Sequence, residues 1–158
     1  MNKSNHRRIS KDNYFMKMAE VASLRSTCIK RKVGAVLVKD DHILSTGYNG
    51  APSGLPHCTP GICVRKHLKP GEKPELCRGV HAEINCIIQA ALHGTAIDGN
   101  TSLYTTTFPC ISCLKLIINA KIKRLIYKEG YNMENMVKAN LLKNSNIQIV
   151  KLMIKQDF

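Results

Sequence analysis

A chain of 158 residues is long enough to bury one real core, and no apolar run in it approaches the length of a membrane span. Its 24 Lys and Arg against 11 Asp and Glu give a formal net charge of +13; this suits an anionic partner, but only "RR" at 7–8 and "KRK" at 30–32 are clustered, and scattered basic residues equally suit solvated faces. Aromatic residues make up 5% with no Trp, which leaves few platforms for stacking single-stranded bases. The first residues, "MNKSNHRRISKD", lead into "NYFMKMAEVASLR", where charges interrupt the apolar run that a signal peptide would keep unbroken. A cytoplasmic location is therefore expected. In that reducing compartment seven cysteines, an odd number with close pairs, read as metal ligands plus spare thiols rather than as a disulfide framework.

Residues 10–26 place Phe15, Met18, Ala19, Ala22 and Leu24 at helical spacing, with Ser10 or Asp12 as the cap. "VGAVLV" (33–38) and "HILSTGY" (42–48) are β-branched runs around the polar turn "KDD", a predicted hairpin. From 51 to 79 the character changes: Pro52, Pro56, Pro60, Pro70 and Pro74, with Gly54, Gly61, Gly71 and Gly79, remove any apolar period. A helix is predicted at about 80–93, stopped by Gly94. "TSLYTT" then reads as a strand, "CISCLKLIINA" as a helix, "IKRLIY" as a strand, "MENMVKANLLKN" as a helix and "IQIVKLM" as a last strand. This order predicts a single α/β domain over 1–158, one mixed sheet with helices on both faces, and 51–79 as an insertion.

The stretch "CRGVHAEINC" (77–86) holds four reactive side chains in little more than two helical turns. Its "HAE" opens one predicted helix, and "PCISC" (109–113) opens another. A Cys-x-x-Cys pair at a helix N-terminus has lowered thiol pKa values, because unpaired backbone N–H groups favour thiolate, the form that binds zinc. Cys110, Cys113 and His81 make three ligands, and three protein ligands with an open fourth position mark a catalytic rather than a structural zinc. Glu83, two residues after His81, points away from it on a regular helix and so is not expected to share the ion. Beside the ion, it is placed to take a proton from a water whose pKa the metal lowers from about 15.7 to roughly 7. Alone, each half is commonplace; a lone C-x-x-C serves redox pairs and zinc fingers equally well. Together, on two helix starts with a strand between them, they point to a catalytic Zn2+.

The pattern H-x-E…P-C-x-x-C is the signature of zinc nucleobase deaminases. More specifically, "VGAVLV", "STGYNGAPSGLPHC", "CRGVHAEINCIIQAA" and "LYTTTFPCISCLKLIINAKIKRLIY" resemble the deoxycytidylate deaminase family, including its late-competence-type bacterial members, from about residue 10 to 131. The resemblance implies a cytidine-deaminase-like three-layer α/β/α fold with a mixed central sheet, conversion of dCMP and water to dUMP and ammonia, and a homo-oligomer, often a hexamer. It implies that His81, Cys110 and Cys113 hold zinc, that Glu83 shuttles protons, that Asn49 contacts the nucleotide, and that the Ala82 backbone N–H meets the base carbonyl. Tyr131 falls where relatives carry an aromatic near the substrate. Many relatives respond to dCTP or dTTP, for which the insertion is the natural place. The bare chemistry would suit adenine as well, so only the resemblance favours cytosine. Arg31, with Arg25 and Lys30, is the expected phosphate contact.

Cys28, Cys58, Cys63 and Cys77 lie around the insertion, and a stretch of nearly thirty residues without apolar periodicity needs tying down. A second, structural Zn2+ held by these thiols would do so, with His57 and His67 as substitute ligands; some relatives carry a second zinc near this region, with varying ligands. Cys86, among isoleucines, reads as a packed and inert thiol. His93 reads as a favourable charge at a helix C-terminus, and His6 and His42 as exposed. Two rival functions differ in class: a tRNA adenosine or other nucleic-acid deaminase, which resembles this chain but has a shorter link between Asn49 and His81, and a competence-associated binding module, which would not need an intact water-activating set.

Overall fold

A computed structural model describes residues 8–69, 71–130 and 136–153. Its central element is a five-stranded sheet in the order β2-β1-β3-β4-β5, formed by β1 (Gly34–Lys39), β2 (His42–Tyr48), β3 (Ser102–Thr107), β4 (Arg124–Glu129) and β5 (Gln148–Lys151). β1 runs antiparallel to β2 and β3, whereas β3, β4 and β5 are parallel, so the sheet is mixed as expected. Asp40 and Asp41 form the hairpin turn with φ of 49° and 64°, the paired left-handed conformation that matches strand twist in a two-residue loop.

Strand alternation divides the core into two layers. Ala35, Leu37, Leu103 and Leu125 face α2 (Ala82–Leu92), α3 (Ile111–Asn119) and α4 (Met136–Lys143), where Cys86, Ala90, Leu114 and Ile117 complete one cluster. Val36, Val38, Tyr104 and Ile126 face the opposite way, onto Phe15, Met16 and Ala19 of α1 (Lys11–Ser23). Three layers result, α/β/α. α1 starts on Ser10, whose Oγ accepts from the Asn13 N–H at 3.2 Å, and it ends before the predicted boundary. Leu24 is therefore the C-cap, 68% exposed, and Met16 takes the core place expected of it.

Two glycines set how closely helices approach the sheet. A Cβ on Gly34 would lie 2.0 Å from the Ala19 carbonyl oxygen, and one on Gly47 would lie 2.3 Å from that of Ala82. The insertion contains only one short 3-10 turn, Pro74–Leu76, and none of its described residues is buried. The Lys30 ammonium donates to the carbonyl of Arg65, at 2.7 Å, and to that of Leu68, clasping its middle. Its end is fixed by a two-bond bridge: the Gly50 N–H donates to Val80 O at 3.1 Å and the Val80 N–H to Gly50 O at 2.8 Å. No described helix is long and apolar enough to cross a membrane.

Candidate active site

The starts of α2 and α3 meet at one end of the sheet. His81 is the N-cap of α2 and Cys110 the N-cap of α3, both with extended backbone, and neither side chain caps its own helix. Both are thereby free to face each other. His81 Nδ1 lies 3.3 Å from Cys110 Sγ and 3.3 Å from Cys113 Sγ, and the two sulfurs are 3.5 Å apart. A tetrahedral zinc with bonds of about 2.3 Å to sulfur and about 2.0–2.1 Å to nitrogen sets its ligand atoms about 3.5–3.8 Å apart. The donor set thus fits that ion with shifts of a few tenths of an ångström. Among the described residues it is the one group of three ligating side chains whose donor atoms all lie within 4.8 Å of one another.

Electrostatics support the same reading. The hydrogen bond between the two sulfurs pulls the Cys110 thiol down to about 3 and raises Cys113. Without a metal the pair shares one proton, and a cation between the sulfurs displaces it. The Cys110 thiolate in turn raises His81. Glu83, 4% exposed, is pushed up to about 7 by burial, against the pull of its own backbone N–H and of His81. A buried carboxyl poised near neutrality suits a group that must both take and give a proton, and a cation beside it would favour its charged form.

These groups open on a cavity of about 590 Å³, within the range of small-molecule sites. Asn49, Ala82 and Arg31 line it, as the sequence reading expects. The Asn49 amide already braces the loop beneath: Oδ1 accepts from Ser26 Oγ at 2.7 Å and from the Val33 N–H at 2.8 Å, and Nδ2 donates to Arg31 O at 2.8 Å. One of its N–H groups is left over. Arg31 pairs with Glu129 at 2.9 Å. Arg25 is exposed and does not line the cavity, and Tyr131 lies outside the described residues.

Cys28, Cys58, Cys63 and Cys77 all line this cavity as well. Burial, then the neighbouring Cys28, Cys63 and Cys77, push the Cys58 thiol up, with Arg78 opposing them. The thiols are therefore neighbours, though not within 4.8 Å of one another as a ligand set. His57 and His67 are exposed and line no part of the wall. Cys86 is buried, pushed up to about 12 by burial, and held by Ser45, whose hydroxyl donates to the Cys86 carbonyl at 2.8 Å. It is the inert thiol expected. The sequence reading passed over Arg78 and Phe108, both in the lining; each sits beside a motif, and no periodicity marks either.

Residues 9–129 match the model of the cytidine and deoxycytidylate deaminase zinc-binding region. The chain belongs to this family. A deoxycytidylate deaminase of Schizosaccharomyces pombe is 38% identical over 147 residues, 92% of this chain and 45% of that protein. ComE operon protein 2 of Bacillus subtilis is 40% identical over 124 residues, 78% of this chain and 62% of that one. The chain thus spans about half the length of the curated relatives it matches. The crystal structure of the dCMP deaminase of cyanophage S-TIM5, in complex with dCMP and dUMP, superposes with a TM-score of 0.73 at 32% identity, covering 93% of this chain and all of that one. The three-layer α/β/α fold is that of the family's cytidine-deaminase-like members.

Proposed function

We propose that the chain is a single zinc-dependent deaminase domain that hydrolyses dCMP to dUMP and ammonia. The observation that carries this is the His81, Cys110 and Cys113 donor set with a buried Glu83 carboxyl in the same cavity. Likeness to the S-TIM5 enzyme and to curated deoxycytidylate deaminases supports the choice of base and sugar. When bound by the three ligands, zinc lowers the pKa of water to about 7 and so supplies the nucleophile. Glu83 would take one proton of the attacking water and deliver it to N3 of the cytosine ring, then take the second from the hydroxyl now on C4 and hand it to the departing amine. One carboxylate serves all these transfers because C4 and N3 are neighbours in one flat ring. The Ala82 N–H, unpaired at the first turn of α2, suits the base carbonyl, and the remaining N–H of Asn49 suits the sugar.

The same reading includes a second, structural Zn2+ on Cys28, Cys58, Cys63 and Cys77, for which their gathering around one cavity is the support. It includes a homo-oligomer, hexameric in many relatives; Ile88 and Leu92 on α2 and Leu116 on α3 remain exposed and apolar. It includes regulation by dCTP or dTTP. The test is ammonia release from dCMP, deoxycytidine, CMP, dCTP and adenosine-containing RNA. Turnover of dCMP above the rest is expected, and turnover confined to RNA would overturn the reading.

A further inference from the structure

A nucleoside monophosphate brings a charge of about −1.5 to −2 into a cavity that already contains a buried carboxyl. Four basic side chains line that cavity: Lys30, Arg31, Arg65 and Arg78. Three have work within the protein. Lys30 clasps two carbonyls of the insertion, Arg65 donates through Nε and Nη2 to Glu72 O at 3.1 and 2.8 Å, and Arg31 is paired with Glu129. Arg78 is different. It is half-buried and has no hydrogen bond or ion pair with any described residue; its charge does pull on the Cys58 thiol, whose pKa is raised all the same. A guanidinium taken partly out of water without an acceptor is unfavourable, so its placement calls for an anion.

Its mount is firm. The Gly50–Val80 bridge pins the segment just after it, and Arg78 and Val80 both line the cavity. A Cβ built on Gly79 would lie 3.4 Å from Gly50 O and 3.5 Å from Cys77 Sγ, so the chain is closely packed there. Arg78 precedes His81 by three residues, an extended reach of at most about 10 Å, which is the scale of a nucleotide from base to phosphate. The planar fork of a guanidinium matches two oxygens of a phosphate monoester.

We propose that Arg78 is the anion anchor of this site, gripping the 5′-phosphate of the nucleotide while the base lies against Glu83. This rests on the site being a nucleotide deaminase, and it moves the phosphate contact from Arg31 to Arg78.

The experiment uses the zinc-loaded full chain as wild type, Arg78→Ala, Arg78→Lys and Arg31→Ala. It measures kcat and KM for dCMP and deoxycytidine, and calorimetric binding of dUMP and deoxyuridine. Arg78→Ala should lose roughly ten- to a hundredfold in kcat/KM on dCMP, mostly through KM, as expected for one or two charge-assisted hydrogen bonds. The ratio of dCMP to deoxycytidine turnover should fall by that factor, Arg78→Lys should restore part of it, and Arg31→Ala should leave the ratio near that of wild type. Equal losses on both substrates, an unchanged ratio, or a ratio that collapses in Arg31→Ala instead would overturn the assignment. The binding arm separates this proposal from the reaction. Arg78-dependent preference for dUMP without ammonia from dCMP supports the anchor and overturns the deamination; ammonia from dCMP with dUMP affinity undiminished in Arg78→Ala does the reverse. Failure to bind dUMP at all overturns the anchor.

Discussion

Glu83 is legible in the sequence because the chemistry proposed for it demands a carboxylate at a fixed step from a proposed metal ligand, and no packing argument supplies another reason for it there. Its burial adds a measurable consequence. Glu83→Gln keeps the shape and the bound metal but removes the proton carrier, so activity should fall by roughly 10⁴-fold, at or beyond the top of the usual range for general acid–base groups. Zinc content and melting temperature should stay near those of wild type. Retention of most activity by this variant would exclude the mechanism. The proposed ligands are legible for the same reason, since spacing and helix position point to His81, Cys110 and Cys113, whose donor atoms the fold brings together. Asn49 and Arg31 are less so. Motif position suggests Asn49, and charge near the start of β1 suggests Arg31, but nothing adjacent in sequence says that the Asn49 amide is largely committed to Ser26, Val33 and Arg31, or that the Arg31 guanidinium has a carboxylate partner 98 residues away. Arg78 is missed for the converse reason. Having no hydrogen bond or ion pair to a described residue is a property of the folded surroundings alone.

At the scale of elements, local patterning locates every described strand and α-helix, the short 3-10 turn Pro74–Leu76 excepted, because period and punctuation are local. Asp40 and Asp41 announce a turn, and Gly94, with φ of 65°, ends α2 as expected. Distances between elements are not local, and here they decide whether the site exists. α2 carries His81 and Glu83, and its seat on β2 is set by the missing side chain of Gly47. A methyl there would lie 2.3 Å from Ala82 O, 2.5 Å from the Cys86 nitrogen and 2.9 Å from Cys86 Cα, all backbone atoms that cannot rotate away. The N-terminal turn of α2 must then move. Overpacking of this kind typically costs about 1–3 kcal/mol, and a displacement near 1 Å at reacting groups costs about 100-fold in rate. Gly47→Ala should therefore lower the melting temperature and reduce kcat far more than KM. Gly99→Ala, where nothing lies within 4 Å, is the matched control and should be silent. A Gly47→Ala enzyme as active as Gly99→Ala would show that α2 is seated by something else.

For the whole molecule, the question is what holds a long insertion, none of whose described residues is buried, against a core that it barely shares. The two-sided sheet buries its apolar residues without residues 51–79, so hydrophobic burial contributes little to their order. What remains is the Lys30 clasp, the Gly50–Val80 bridge and the four thiols on the cavity wall. Hydrogen bonds from one exposed lysine contribute about 1 kcal/mol apiece, too little to order so long a stretch against its chain entropy. A zinc on the thiols would contribute of the order of 10 kcal/mol, and binding it would draw their sulfurs to within ligand distance of one another. The wild-type chain should therefore carry about two zinc ions, one per donor set. Cys58→Ser should lower that content and open the insertion to protease while leaving the melting of the sheet and helices little changed; His81→Ala should remove the other ion and leave the insertion protected. Elemental analysis of purified wild type giving a single zinc per chain, with Cys58→Ser unchanged in metal, would leave these cysteines as free thiols and the clasp and bridge as the insertion's only ties among the described residues.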